Sequence, residues 1–251
     1  MNLRRADKNL FYFAAVMLYT KNVIYVYAIF IYVYSITSTP FRGLATSQLC
    51  HKIKGESIIP DIESVSTHLN IFLFLILVNS LLSRFAVVTS PISPAPGVSS
   101  MYFAVAFMIV FALWYGIWGG LSAYLGCMIG AGILADMPLS LNVVWSLADL
   151  WQVLIPLTAF AYFRVNIRLR TKRDMGIFLL FGCLLNNFIG AMWGALMIVR
   201  EGMVPWTEFF VTFEGWFVGN VVTTLVIVPF CLKYITPYIQ QTKSYVHNYW
   251  I

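Results

Sequence analysis

From Leu69 to Leu232 this chain contains no polar stretch long enough to coat a soluble domain. Apolar blocks follow one another instead, each close to the roughly 20 residues a helix needs to cross bilayer hydrocarbon. Backbone amides in lipid must be satisfied internally, so only helices and closed barrels can span. The blocks are continuous rather than alternating, which removes the barrel. The reading is an all-α fold, a polytopic transmembrane bundle of six to seven helices. Composition agrees, with 10% of the 251 residues charged and 60% apolar.

Seven apolar segments can be marked. The first, Leu10–Ile36, is interrupted by Lys21 and Asn22, so its spanning part is Val23–Ile36. The others are Leu69–Val88, Val98–Leu113, the glycine-dense Ile117–Leu134, Leu141–Phe163, Gly176–Val199 and Phe209–Leu232. Two domains follow: residues 1–67, an N-terminal helix with a polar connector, and residues 68–251, the bundle with a short tail. Tyrosine-rich sequence follows Arg4, Arg5 and Lys8, with no small-residue cleavage site, so the first helix is expected to stay uncleaved.

A net charge of +6 in a soluble protein would suggest nucleic acid. Here the cations sit in loops, where they read as topology signals and contacts to anionic lipid. Arg164, Arg168, Arg170, Lys172 and Arg173 crowd one loop with only Asp174 opposing them, and cytoplasmic loops are the ones enriched in this way. That places this loop and the C-terminus, with Lys233 and Lys243, inside a cell membrane, and the turn around Asp136 outside. Seven crossings would then put Arg4 and Arg5 outside, against the same rule. Either an N-terminal segment fails to cross or the strong inner loop prevails.

Glycines at small-xxx-small spacing, Gly116/Gly120 and Gly126/Gly130 in the fourth segment and Gly190/Gly194 in the sixth, predict close backbone contact, within the bundle or between copies. Cys50, Cys127, Cys183 and Cys231 lack metal-ligand spacing and read as packed small apolar residues. No HExxH, Walker loop or paired carboxylates appear, and none of His51, His68 and His247 lies mid-segment. An enzyme is not expected, nor a metal or another cofactor.

Polar side chains inside apolar segments carry the functional signal, because they are costly in lipid and gather where a cavity or partner satisfies them. Asp149 and Gln152 share a helix face, with Trp145 one turn earlier as an aromatic wall. Asn187 shares a face with Gly190 and Gly194, and Glu214, Trp216 and Asn220 mark the outer part of the last helix. Trp145, Asp149, Gln152, Asn187, Glu214, Trp216 and Asn220 are therefore the candidate ligand-binding residues. The competing reading is a set of unrelated interhelical hydrogen bonds, with Glu214 at headgroup level.

The order of motifs from Ser90 to Tyr238 resembles the MASE1 group of integral-membrane sensory domains. It runs through Ser93-Pro94-Ala95-Pro96-Gly97, Tyr115-Gly116-Ile117-Trp118-Gly119-Gly120, a helix with Asp149 or Gln152 ending at Arg164, and Trp216-Phe217-Val218-Gly219-Asn220 before Pro229 and Lys233. Asn220 stands where that group carries an acid, and the entry tryptophan is missing. The resemblance implies a small-ligand-binding or sensory module. Because the chain stops at Ile251 without an output domain, it is expected to signal through a partner protein. The chain is also similar, more weakly, to substrate-binding components of energy-coupling-factor transporters, six-helix bundles with an outward pocket that dock a coupler. A structural subunit of a membrane complex is the third reading. The expected partners are the lipid bilayer, a small polar ligand and a partner membrane or signalling protein, without nucleic acid.

Overall fold

The computed structural model describes residues 62–89 and 99–249. The chain divides into two compact units, Met1–Ser66 and Thr67–Ile251. The first apolar segment, Leu10–Ile36, lies outside the described residues. The described part is almost entirely helical, and five of its helices are long and apolar enough to cross a membrane: Ser66–Phe85, Ile117–Ala135, Leu139–Phe163, Lys172–Arg200 and Trp206–Ile239.

Helix α1 (Ile62–Phe85) buries Ile71, Leu75, Val78, Asn79 and Leu82, spaced by one or two turns, while Leu73 and Leu77 on the opposite face stay exposed. Both faces are apolar. Only helical periodicity separates the side that packs from the side that does not. The same holds on the last helix, where Val226 is 66% exposed.

The third segment departs from the expected spanning helix. It opens as strand β2 (Ser99–Tyr102), which pairs antiparallel with β1 (Val87–Thr89). Helix α2 (Phe103–Tyr115) follows, and at about 1.5 Å per residue its 13 residues reach about 20 Å, short of a bilayer's hydrocarbon. Every side chain from Ala104 to Tyr115 is buried, because a helix apolar on all faces belongs in a core. It packs against α3 (Ile117–Cys127), α5 (Leu147–Phe163) and α8 (Phe209–Phe230). Between α2 and α3 the chain reverses at Gly116, whose φ of 61° is a conformation glycine adopts without strain. Gly116 is thus a turn residue and not part of a helix-packing pair with Gly120.

Three of the long helices change winding. α3 passes into a π-helical turn at Met128–Gly132, and α6 (Lys172–Ile177) joins α7 (Asn186–Arg200) through Phe178–Leu185. α8 joins the short α9 (Thr236–Ile239) through Cys231–Ile235. Such turns leave carbonyls without the usual i→i−4 partner, and side chains take them up. The amide of Asn142, in α4 (Leu139–Trp145), donates to the Met128 carbonyl at 2.9 Å, and that of Asn187 to the Cys183 carbonyl at 2.8 Å.

The elements alternate in direction, giving the bundle two ends. At one end His68 stacks on Trp118, and the tail returns: the Val246 amide donates to the Trp114 carbonyl at 2.9 Å, and Trp114 Nε1 to Thr236 Oγ1 at 2.9 Å. The basic loop lies at this end too. Arg168 Nη2 reaches Gln240 Oε1 at 2.6 Å, and the Tyr249 hydroxyl donates to the Val165 carbonyl at 2.6 Å. Asp174 makes no ion pair with this loop's arginines among the described residues, although the Arg173 charge favours its carboxylate. It closes a capping box with Thr171 and accepts from the Asn166 amide, so its oxygens serve backbone donors.

The glycine faces are consumed inside the bundle. A Cβ on Gly126 would land on Asn79, and one on Gly130 on the Ser80 backbone, so α3 lies backbone to backbone on α1. Gly119 meets the Phe111 and Ala112 backbone of α2 in the same way, whereas Gly120 faces the Val153 and Leu154 side chains at an ordinary 3.8 Å. Cys127, Cys183 and Cys231 are free and buried.

Candidate functional site

At the end of the bundle opposite the basic loop, the helices part around a cavity of about 450 Å³. Its interior holds Asp149, 4% exposed, and Gln152, 2% exposed, while Arg84, Ala135 and Met203 at its margin are exposed. The cavity therefore opens at that end. Trp145 and Trp216 form one wall, their ring centroids 6.2 Å apart and tilted by 58°. Asn220 lines it from α8.

Helix winding and small residues create this space. α4 stops at Trp145, where the Ser146 hydroxyl donates back to Asn142 Oδ1 at 2.9 Å, and α5 restarts at Leu147 with Asp149 in its first turn. On α7, Gly190 and Gly194 remove the side chains that would fill the gap. A Cβ at Gly190 would occupy the place of the Gln152 side chain, and one at Gly194 would come within 2.9 Å of the Trp216 ring. These two glycines are seats for a cavity amide and a cavity indole.

A polar network runs from the cavity floor into the bundle. Gln152 Nε2 donates to Asn187 Oδ1 at 2.8 Å, and Asn187 Nδ2 also reaches Thr224 Oγ1 at 3.1 Å. Asn186 Nδ2 donates to the Gln152 carbonyl at 3.2 Å. On the other side the Tyr102 hydroxyl lies 2.8 Å from Ser83 Oγ and 3.1 Å from Asp149 Oδ2, and the Cys127 thiol also contacts Asp149. Tyr102 sits in β2, outside the long helices. Burial first, and the Asp149 carboxylate second, raise its phenol well above the ordinary value, so it remains a hydrogen-bond donor.

The structure brings five of the seven expected residues to one cavity: Trp145, Asp149, Gln152, Trp216 and Asn220. Asn187 stands one hydrogen bond behind the lining, as the support of Gln152. Glu214 is exposed and is not part of the lining, since it occupies a different face of α8 from Trp216 and Asn220. Sequence reasoning missed Ser83, Arg84, Tyr102 and Cys127. The first two end a helix and Tyr102 lies in a hairpin strand, so helical spacing carried no signal for them. Cys127 looked like packing and does pack, but against a carboxylate. Among the described residues no three His, Cys, Asp or Glu side chains gather to hold a metal. No protein-family model, curated protein or solved structure matches the chain.

Proposed function

We propose that this chain is a multi-pass cell-membrane module that binds a small polar ligand in the cavity between α1, α3, α5, α7 and α8. In this reading it acts as a sensor of the MASE1 type and passes occupancy to a partner protein. One observation carries it: buried polar side chains from separate helices converge on one open space, with two indoles beside them. Small-molecule sites are concave, largely apolar, of about 300–1,000 Å³, with a few placed polar groups. The exposed aliphatic faces of the long helices suit lipid, and the described residues then form five spanning helices with α2 in the interior. The basic loop and C-terminus face the cytoplasm and the cavity faces the other side. No catalytic role is assigned.

A second reading is a substrate-binding component of a transporter, favoured by six elements of alternating direction with a pocket at one end. Such a component needs an open small-residue face for its coupler, and Gly119, Gly126 and Gly130 are covered by α1 and α2. Native mass spectrometry of the full chain, released from detergent after gentle purification, tests the reading. A co-purifying small molecule that is lost in Ala148→Phe, which places a ring in the cavity, is the expected result. The same adduct in wild type and variant would overturn it.

A further inference from the structure

We infer that the cavity selects a primary-amine zwitterion, holding its ammonium at Asp149 beside the Trp145–Trp216 pair and its carboxylate at the Arg84 rim. The inference rests on the ligand-binding reading above and adds the ligand's charge pattern. Asp149 is a buried carboxylate whose hydrogen-bonding neighbours, the Tyr102 hydroxyl and the Cys127 thiol, are both uncharged. Among the described residues it makes no ion pair. A buried carboxylate without a cation is an unfavourable arrangement unless it takes up a proton or something supplies positive charge, and a ligand ammonium supplies that charge. The space it faces is shared with two indoles, and indole faces attract ammonium groups more strongly than any other side-chain ring.

Arg84 supplies the other half. It lines the same cavity, is exposed, and forms no hydrogen bond or ion pair with a described residue. It forms no ion pair with Asp149, although the Tyr102 hydroxyl ties Ser83, its neighbour on α1, to that carboxylate. One negative group inside and one positive group at the rim, unpaired with each other, match a molecule bearing both charges at its two ends. The guanidinium fork suits a carboxylate. Gln152 and Asn220 offer amides to the ligand between these poles.

The test uses the full chain in nanodiscs and three probes of one shape: L-phenylalanine, phenethylamine, which lacks the carboxylate, and 3-phenylpropionate, which lacks the amine. Binding is read by calorimetry and by tryptophan fluorescence. Wild type is expected to bind the zwitterion best, the amine more weakly, and 3-phenylpropionate at least tenfold more weakly than the amine. Asp149→Asn, whose Oδ1 still accepts from Tyr102, should lose at least tenfold for both amines. Arg84→Gln should weaken L-phenylalanine and change the amine-to-acid preference. If 3-phenylpropionate binds wild type as well as phenethylamine, or none of the probes binds, the ammonium assignment is overturned. That comparison needs no variant to fold. The co-purification experiment judges the cavity reading separately, so a bound neutral or anionic molecule lost in Ala148→Phe would refute the charge pattern while leaving the binding function in place.

Discussion

A single methyl group on α3 tests the packing that frames the cavity. Gly126→Ala and Gly130→Ala each place a Cβ against the α1 backbone, where Asn79 C is 3.0 Å and Ser80 Cα 3.0 Å away. Main chain cannot rotate aside as a flexible side chain can, so α1 must shift. Gly120→Ala is the internal reference. It lies in α3 with Gly126, gains the same helix propensity, and meets only side-chain methyls at 3.8 Å, while Gly130 sits in the π-helical turn that continues this helix. Subtracting the reference cancels propensity and leaves overpacking, typically about 1–3 kcal/mol. The Gly126 and Gly130 variants should therefore each be about 1–3 kcal/mol less stable than Gly120→Ala. Their double variant should lose less than the sum, since one displacement of α1 relieves both contacts. Reversible unfolding in mixed micelles measures the differences. If all three single variants unfold alike, the α1–α3 contact described here is wrong.

Three further outcomes follow from the same geometry. Asn187→Leu removes the acceptor of Gln152 and the donor to Thr224, and should cost about 1–2 kcal/mol in the same unfolding assay. Tyr249→Phe removes the hydroxyl bonded to the Val165 carbonyl, and should cost about 1 kcal/mol while speeding proteolysis of the tail. Cysteines placed at Thr171 and Met137 should label from opposite sides of the membrane, Thr171 from the cytoplasm, because the apolar helix Leu139–Phe163 separates them; labelling from one side would remove that crossing.

Hydrophobic continuity made most of the helices legible, and failed where continuity has two physical causes. Residues 103–115 are apolar because protein surrounds them, residues 117–135 in part because their outer face meets no protein, and a run of apolar letters reads the same in both cases. Periodicity could not distinguish them either, since α2 has no polar face to mark. The cavity was legible as far as helical spacing reaches: Trp145, Asp149 and Gln152 sit on one face and arrive together. Asn187 was visible as a polar residue, but whether an amide lines a cavity or supports a neighbour depends on Gln152 reaching across from α5 into the seat that Gly190 leaves on the same helix as Asn187. Glu214 was assigned by depth along α8, which says nothing about azimuth. Tyr102 enters from a strand that breaks the helical period, and Arg84 from the last turn of α1.

The enclosed α2 also dictates an order of assembly. At about 20 Å it is too short to be stable alone across a bilayer, and its partners arrive one after another as the chain is made. α3 follows after one residue, α5 some thirty later, and α8 only from Phe209 onward. Until α8 emerges, the side of α2 that α8 covers has no protein neighbour, and Asn187 lacks the Thr224 hydroxyl. Truncation just before Phe209 would therefore leave an unfinished core and not a smaller bundle. For a chain inserted segment by segment, the last long helix is the one that closes the fold.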